Sequence, residues 1–111
     1  MKKIFFSLTM LFTAVIMHAQ SPGVSDKLSG STWHTDINEA LVVSNKEKKP
    51  LFLFFTGSDW CGWCVKLQNE VLKTPEFKKW AADNVVLVEL DFPRNNQQTP
   101  QMQNQNNQVL Q

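Results

Sequence analysis

The apolar run Leu51-Phe52-Leu53-Phe54-Phe55 leads through Thr56-Gly57-Ser58-Asp59 into Trp60-Cys61-Gly62-Trp63-Cys64. That succession constrains the fold more than any other part of the chain. A short, continuously apolar run bounded by turn residues predicts a strand covered on both faces. Beyond the turn, Cys61 to about Leu72 carries helical spacing, with Val65, Leu67, Val71 and Leu72 as core candidates. A buried strand that hands over directly to a helix belongs to a layered α/β architecture.

The flanking segments extend that layer. Ser31-Thr32-Trp33-His34 predicts a short edge strand. Asp36 followed by Glu39 forms a capping box for a helix whose inner face carries Ile37, Ala40, Leu41 and Ser44. Lys46-Glu47-Lys48-Lys49 gives that helix a solvated end, with cations at the favourable pole of its dipole, and Pro50 stops it. Thr74-Pro75-Glu76 starts another helix, an N-cap followed by proline, and carries Phe77 and Trp80 inward; Trp33 and Trp80 both read as core. Val85 to Leu90 is a further strand, ending at Asp91-Phe92-Pro93. The order of strands and helices implies parallel pairing across the central crossover. Asn95 to Gln111 is dominated by Gln and Asn, with Met102, Val109 and Leu110 as its bulky apolar residues. Two readings stand side by side there: a polar tail, or an amphipathic helix capped by Thr99-Pro100.

The chain begins as an exported protein does. Lys2-Lys3 precede the apolar stretch Ile4 to Met17, and His18-Ala19-Gln20 follows, which reads as a signal peptide over residues 1–19. The apolar stretch falls short of the roughly 20 residues a membrane span needs. Periplasmic or extracellular localisation without a stable membrane anchor is the expectation. Residues 20–32 then form a flexible lead-in, 33–92 one small domain, and 93–111 the Gln/Asn-rich segment. Removal of the leader takes Lys2 and Lys3 from a total of 11 basic and 10 acidic residues, so the charge stays near balance. No basic patch argues for nucleic acid.

Cys61 and Cys64 are the only two cysteines. Three positions apart at a helix start, they lie on one face at a separation that suits a disulfide. Unpaired N–H groups of the first turn favour a thiolate at Cys61, whereas Cys64 sits deeper and stays more thiol-like. Cys61 is therefore the expected nucleophile and Cys64 the resolving thiol. Trp60, Gly62 and Trp63 surround the sulfurs as candidate substrate contacts. Lys66 adds positive potential and Asp59 opposes it. As a structural staple, so short a loop contributes only about 2 kcal/mol. Zinc lacks ligands, because His34 alone remains to join the two cysteines after the leader, and no metal or other cofactor is expected.

These residues resemble the thioredoxin superfamily, in particular small exported bacterial thioredoxin-like proteins and the C-terminal domain of thiol:disulfide interchange proteins. The resemblance rests on Lys49-Pro50, Leu51–Phe55, Thr56 to Cys64 with Lys66, and Val85–Leu90 closing with Asp91. It covers roughly residues 33–92. It implies a thioredoxin-like α/β fold of order β-α-β-α-β-α, incomplete in that the cis-proline loop, the last two strands and the final helix are missing. It also implies an exported thiol–disulfide oxidoreductase that exchanges the Cys61–Cys64 couple with protein thiols and disulfides and is served by an upstream thiol–disulfide donor. The alternative is a redox-inactive or truncated thioredoxin-like binding module. Two departures matter. Phe55 stands where the family carries a buried Asp, and the missing strands leave an exposed edge expected on Val85–Leu90.

Overall fold

The computed structural model describes residues 24–25 and 32–111. The expected leader at 1–19 lies outside the described residues, as does the lead-in at 20–32 apart from Val24, Ser25 and Thr32.

Strand β3 (Leu51–Thr56) and strand β4 (Val86–Asp91) form a parallel ladder from Leu51 opposite Val86 to Thr56 opposite Asp91. Strand β2 (Trp33–His34) runs parallel along the other side of β4, with Trp33 opposite Leu87, and strand β1 (Val24–Ser25) pairs antiparallel with β2. The sheet order is β1-β2-β4-β3. This corrects the expected edge on Val85–Leu90. Val86 through Leu90 are all buried, because a strand with neighbours on both sides and layers on both faces has nowhere to expose a side chain. Among the described residues the outer strand on that side is β3. The predicted edge strand at Trp33–His34 is likewise flanked, by β1.

Alternation along the strands sorts the core into two layers. One face carries Trp33, Phe54 and Leu87, packed with Leu72 and Ala81; the other carries Val86, Val88 and Leu90, packed with Ala40. β3 is the less covered strand: Phe54 and Thr56 are buried, while Leu53 and Phe55 keep part of their surface in solvent.

Helix α1 (Ile37–Glu47) starts where predicted. The Asp36 carboxylate accepts from the backbone N–H groups of Asn38 and Glu39 at 2.8 and 3.0 Å. Lys48, at φ 57°, ends it in a left-handed cap before Pro50. Ala40 is buried and Ile37 and Val43 pack beside it, but Leu41 faces solvent, contrary to its predicted place on the inner stripe. Helix α3 (Pro75–Asn84) is capped by Thr74, whose hydroxyl accepts from the Phe77 N–H at 3.3 Å. Trp80, expected in the core, is 48% exposed. The inward line runs through Phe77 and the small, fully buried Ala81, and Trp80 flanks it against the Phe77 ring at 5.7 Å.

Helix α2 (Gly62–Leu67) widens into a π-helical turn over Gln68–Leu72. Val65, Leu67 and Val71, expected in the core, are exposed; Leu72 alone of that set is buried. The inner face follows another line. Inward positions fall at Cys64, Gln68 and Leu72, four residues apart, so a pattern read at 3.6 residues per turn drifts off the inner face.

Of the two readings of the C-terminal segment, the helix is the one formed. Helix α4 (Pro100–Leu110) is capped by Thr99. Its polar residues are what attach it. Asn106, 1% exposed, donates to the Asp91 carbonyl at 2.8 Å and accepts from Gln105 Nε2 at 3.0 Å. The Gln105 amide also donates to Thr35 O at 2.8 Å and accepts from the Ile37 N–H at 2.9 Å, completing the α1 N-terminus. Gln98 reaches the same Asp91 carbonyl at 3.0 Å. Truncating Asn106 removes two hydrogen bonds and the packing of a buried side chain, so Asn106→Ala should lower stability by about 1–3 kcal/mol. Urea midpoints test this, and a change within about 0.5 kcal/mol, typical of an ordinary surface substitution, would show that the amide does not hold the helix.

Candidate active site

The site is built at the end of the β3–β4 ladder. Thr56 accepts the Phe92 N–H at 2.8 Å, which ties the exits of the two strands together. The chain after β3 turns tightly. The N–H groups of Trp60 and Cys61 both donate to Gly57 O, at 3.2 and 2.8 Å. Asp91 fixes this turn from the neighbouring strand, accepting the Ser58 N–H at 2.8 Å and the Ser58 hydroxyl at 2.6 Å. A side chain at Gly57 would collide with the Trp60 indole, which lies directly over it.

Cys61 is the N-cap of α2 rather than a residue inside its first turn, with an extended backbone at φ −91° and ψ 90°. Cys61 and Cys64 form a disulfide with an S–S distance of 2.00 Å and a Cα–Cα distance of 5.3 Å. Cys61 Sγ accepts the Cys64 N–H at 3.2 Å. When the disulfide opens, that donor faces the Cys61 sulfur and favours its anionic form. Cys64 instead packs against the inner cluster of Trp33, Phe54, Leu72, Ala81 and Leu87. The two sulfurs thus occupy unlike surroundings, one at a helix start and one on the core.

Around them the predicted site residues divide. Trp63 is 79% exposed with Lys66 Nζ 5.2 Å from its ring, and Lys66 also lies 3.9 Å from Glu70. Gly62 is open, with nothing within 4 Å of where a side chain would begin. Trp60, half exposed, donates from Nε1 to Phe92 O at 2.7 Å and carries the Arg94 guanidinium 4.0 Å over its ring. Asp59 has a part beyond the electrostatic one expected. Its carboxylate accepts three backbone N–H groups of the next loop, from Arg94 at 2.9 Å, Asn95 at 2.7 Å and Asn96 at 2.8 Å. The Arg94 and Asn96 bonds, with Asn95 adding to them, hold the Asp59 carboxyl below its ordinary value of 3.8. The loop residues that complete this side of the site, above all Arg94, carry no sequence signal of their own. No cluster of three or more His, Cys, Asp or Glu suited to a metal exists among the described residues.

A family model described as thioredoxin-like matches residues 32–109. The chain belongs to the thioredoxin-like family. Within that family it is 51% identical over 72 residues to the disulfide bond reductase DsbH of Chlamydia pneumoniae, across 65% of this chain and 43% of that protein. It is 40% identical over 74 residues to the thioredoxin-related protein DsbJ of the same organism, across 67% of this chain and 21% of that protein. A solved structure, DsbH oxidoreductase, superposes with a TM-score of 0.67 at 36% identity, over 84% of this chain and 62% of that one. The chain spans less than half the length of these two curated relatives.

Asp59 makes the loop contact sensitive to acid. Because its carboxyl is held low in the folded protein, the stability it adds is present above the ordinary value of 3.8 and is lost as pH falls through the lowered folded value. The urea midpoint should therefore fall in acid more steeply for the parent protein than for Asp59→Ala. Parallel pH profiles for the two would contradict this account of the loop.

Proposed function

We propose that this chain is an exported thiol–disulfide oxidoreductase that reduces disulfides of protein substrates through the Cys61–Cys64 couple. The observation that carries the reading is the asymmetric pair: Cys61 at the α2 N-cap with a backbone donor on its sulfur, and Cys64 against the core. In the reduced protein the Cys61 thiolate attacks a partner disulfide and forms a mixed disulfide, expelling one partner sulfur as a thiolate. Cys64 then attacks Cys61 Sγ, which closes the intramolecular disulfide and releases the second partner sulfur. Two electrons pass to the partner, and an upstream dithiol donor restores the reduced pair. Trp60, Gly62 and Trp63 offer the substrate a flat apolar surface and an unobstructed approach. The name of the DsbH relative supports the direction of electron flow, and the leader-like residues 1–19 support export.

Replacing the resolving thiol separates the two steps. Cys64→Ala should accumulate a covalent adduct with oxidised protein substrates through Cys61, visible by mass on a non-reducing gel and released by dithiothreitol. Absence of any adduct would remove the catalytic claim. Titration in graded glutathione buffers with and without urea, followed by tryptophan fluorescence, adds a second measurement. A native potential separated from the urea value means the fold tunes the pair, whereas coincident potentials favour the redox-inactive binding module.

A further inference from the structure

The loop that leaves β4 is fastened to the cysteine turn along its backbone. The Phe92 N–H donates to Thr56 O at 2.8 Å, and Phe92 O accepts from Trp60 Nε1 at 2.7 Å. Beyond Pro93, the N–H groups of Arg94, Asn95 and Asn96 all end on the Asp59 carboxylate. Asp59 and Trp60 are the two residues directly before Cys61, so this loop is tied to the site itself.

The side chain that this arrangement presents is Arg94, which is exposed. Its guanidinium lies 4.0 Å over the Trp60 ring, an indole fixed by its bond to Phe92 O and by its close approach to Gly57. A guanidinium laid on an aromatic face keeps its in-plane N–H donors directed outward, in the fork that matches a carboxylate. Among the described residues no carboxylate pairs with that fork. Asp59 uses both oxygens on backbone N–H groups, and Asp91 holds Ser58. Glu89 is buried within β4. Lys66 differs from Arg94 in this respect, because Glu70 stands 3.9 Å from it on the same helix. The site thus holds a positioned, unmatched cation on the residue next to its nucleophile.

Resting on the oxidoreductase reading, we propose that Arg94 selects substrate disulfides flanked by an acidic side chain, binding its carboxylate as the substrate docks on Cys61. An extended peptide advances about 3.3 Å per residue, so the acidic residue lies within about two to four positions of the substrate cysteine. The preference is one-sided in the substrate sequence, because Arg94 stands on the loop after β4 whereas Trp63 and Lys66 belong to α2. It is also sensitive to salt, since both partners stay in contact with solvent.

The test uses the full reduced chain and short peptides, each carrying one cysteine as a thiopyridyl mixed disulfide. Attack by Cys61 on the peptide sulfur releases thiopyridone, which is read by absorbance. Glu, Gln or Lys is placed three residues before or three residues after that cysteine. On one side only, the Glu peptide should react about 5-fold faster than the Gln peptide, what an exposed ion pair at the upper end of its range contributes. The Lys peptide should be slower than both. The preference should vanish in Arg94→Gln, persist in part in Arg94→Lys, which keeps the charge without the fork, and shrink as salt rises. An equal preference on both sides of the cysteine, a preference that survives in Arg94→Gln, or none in the parent protein overturns the proposal. Release no faster than from the same chain unfolded in urea would instead bring down the oxidoreductase reading on which it rests.

Discussion

The register in which Thr56 ends opposite Asp91 is the constraint on which the rest of the site depends. Parallel strands deliver their carboxyl ends to the same side of the sheet, so both exits open where the cysteines are. Asp91 then grips Ser58, Thr56 grips Phe92, and the two loops are fixed relative to each other before any active-site residue is reached. A slip of β3 by one residue in that ladder would turn Phe54 to the opposite layer and break the Asp91–Ser58 contact together. The position of the Cys61–Cys64 pair follows from strand pairing several residues upstream of it.

From that end, the local sequence makes two kinds of surface. Towards solvent lie Cys61, Gly62 and the two indoles, each indole with a cation near its ring. Towards the sheet, Cys64 meets aromatic and aliphatic side chains, with buried polar atoms of three adjacent strands sharing the same face. The difference between the sulfurs is therefore a difference between the start of a helix and its underside. The π-turn contributes by keeping Cys64, Gln68 and Leu72 in one inward line over a longer stretch than a regular helix allows.

What the sequence disclosed was what local rules control. Asp36, Thr74 and Thr99 each cap a helix because their oxygens meet N–H groups two or three residues away. The strand at Leu51–Phe55 and the cysteine pair at the following helix start are equally local. The misplacements came from long-range geometry. Trp80 lost its inward place to Ala81 because α3 lies close to the sheet, and Leu41 lost its place to the line through Ile37, Ala40 and Val43. Val65, Leu67 and Val71 lie off the line through Cys64, Gln68 and Leu72 that faces the sheet, and the π-turn extends that line in a way side-chain hydrophobicity does not encode. The contacts of Asp59 with the next loop were not legible, because nothing near it in sequence announces Arg94, Asn95 and Asn96.

The attachment of α4 through Gln98, Gln105 and Asn106 has a consequence of its own. These contacts use neutral amides, and they end on the backbone groups Asp91 O, Thr35 O and the Ile37 N–H. Dissolved ions screen charge pairs and leave neutral hydrogen bonds nearly untouched. The helix behind the sheet is therefore held independently of ionic strength, while the charged fringe at Lys66 and Glu70 weakens as salt rises. Rising salt therefore reaches the charged fringe of the domain before it reaches the seat of α4.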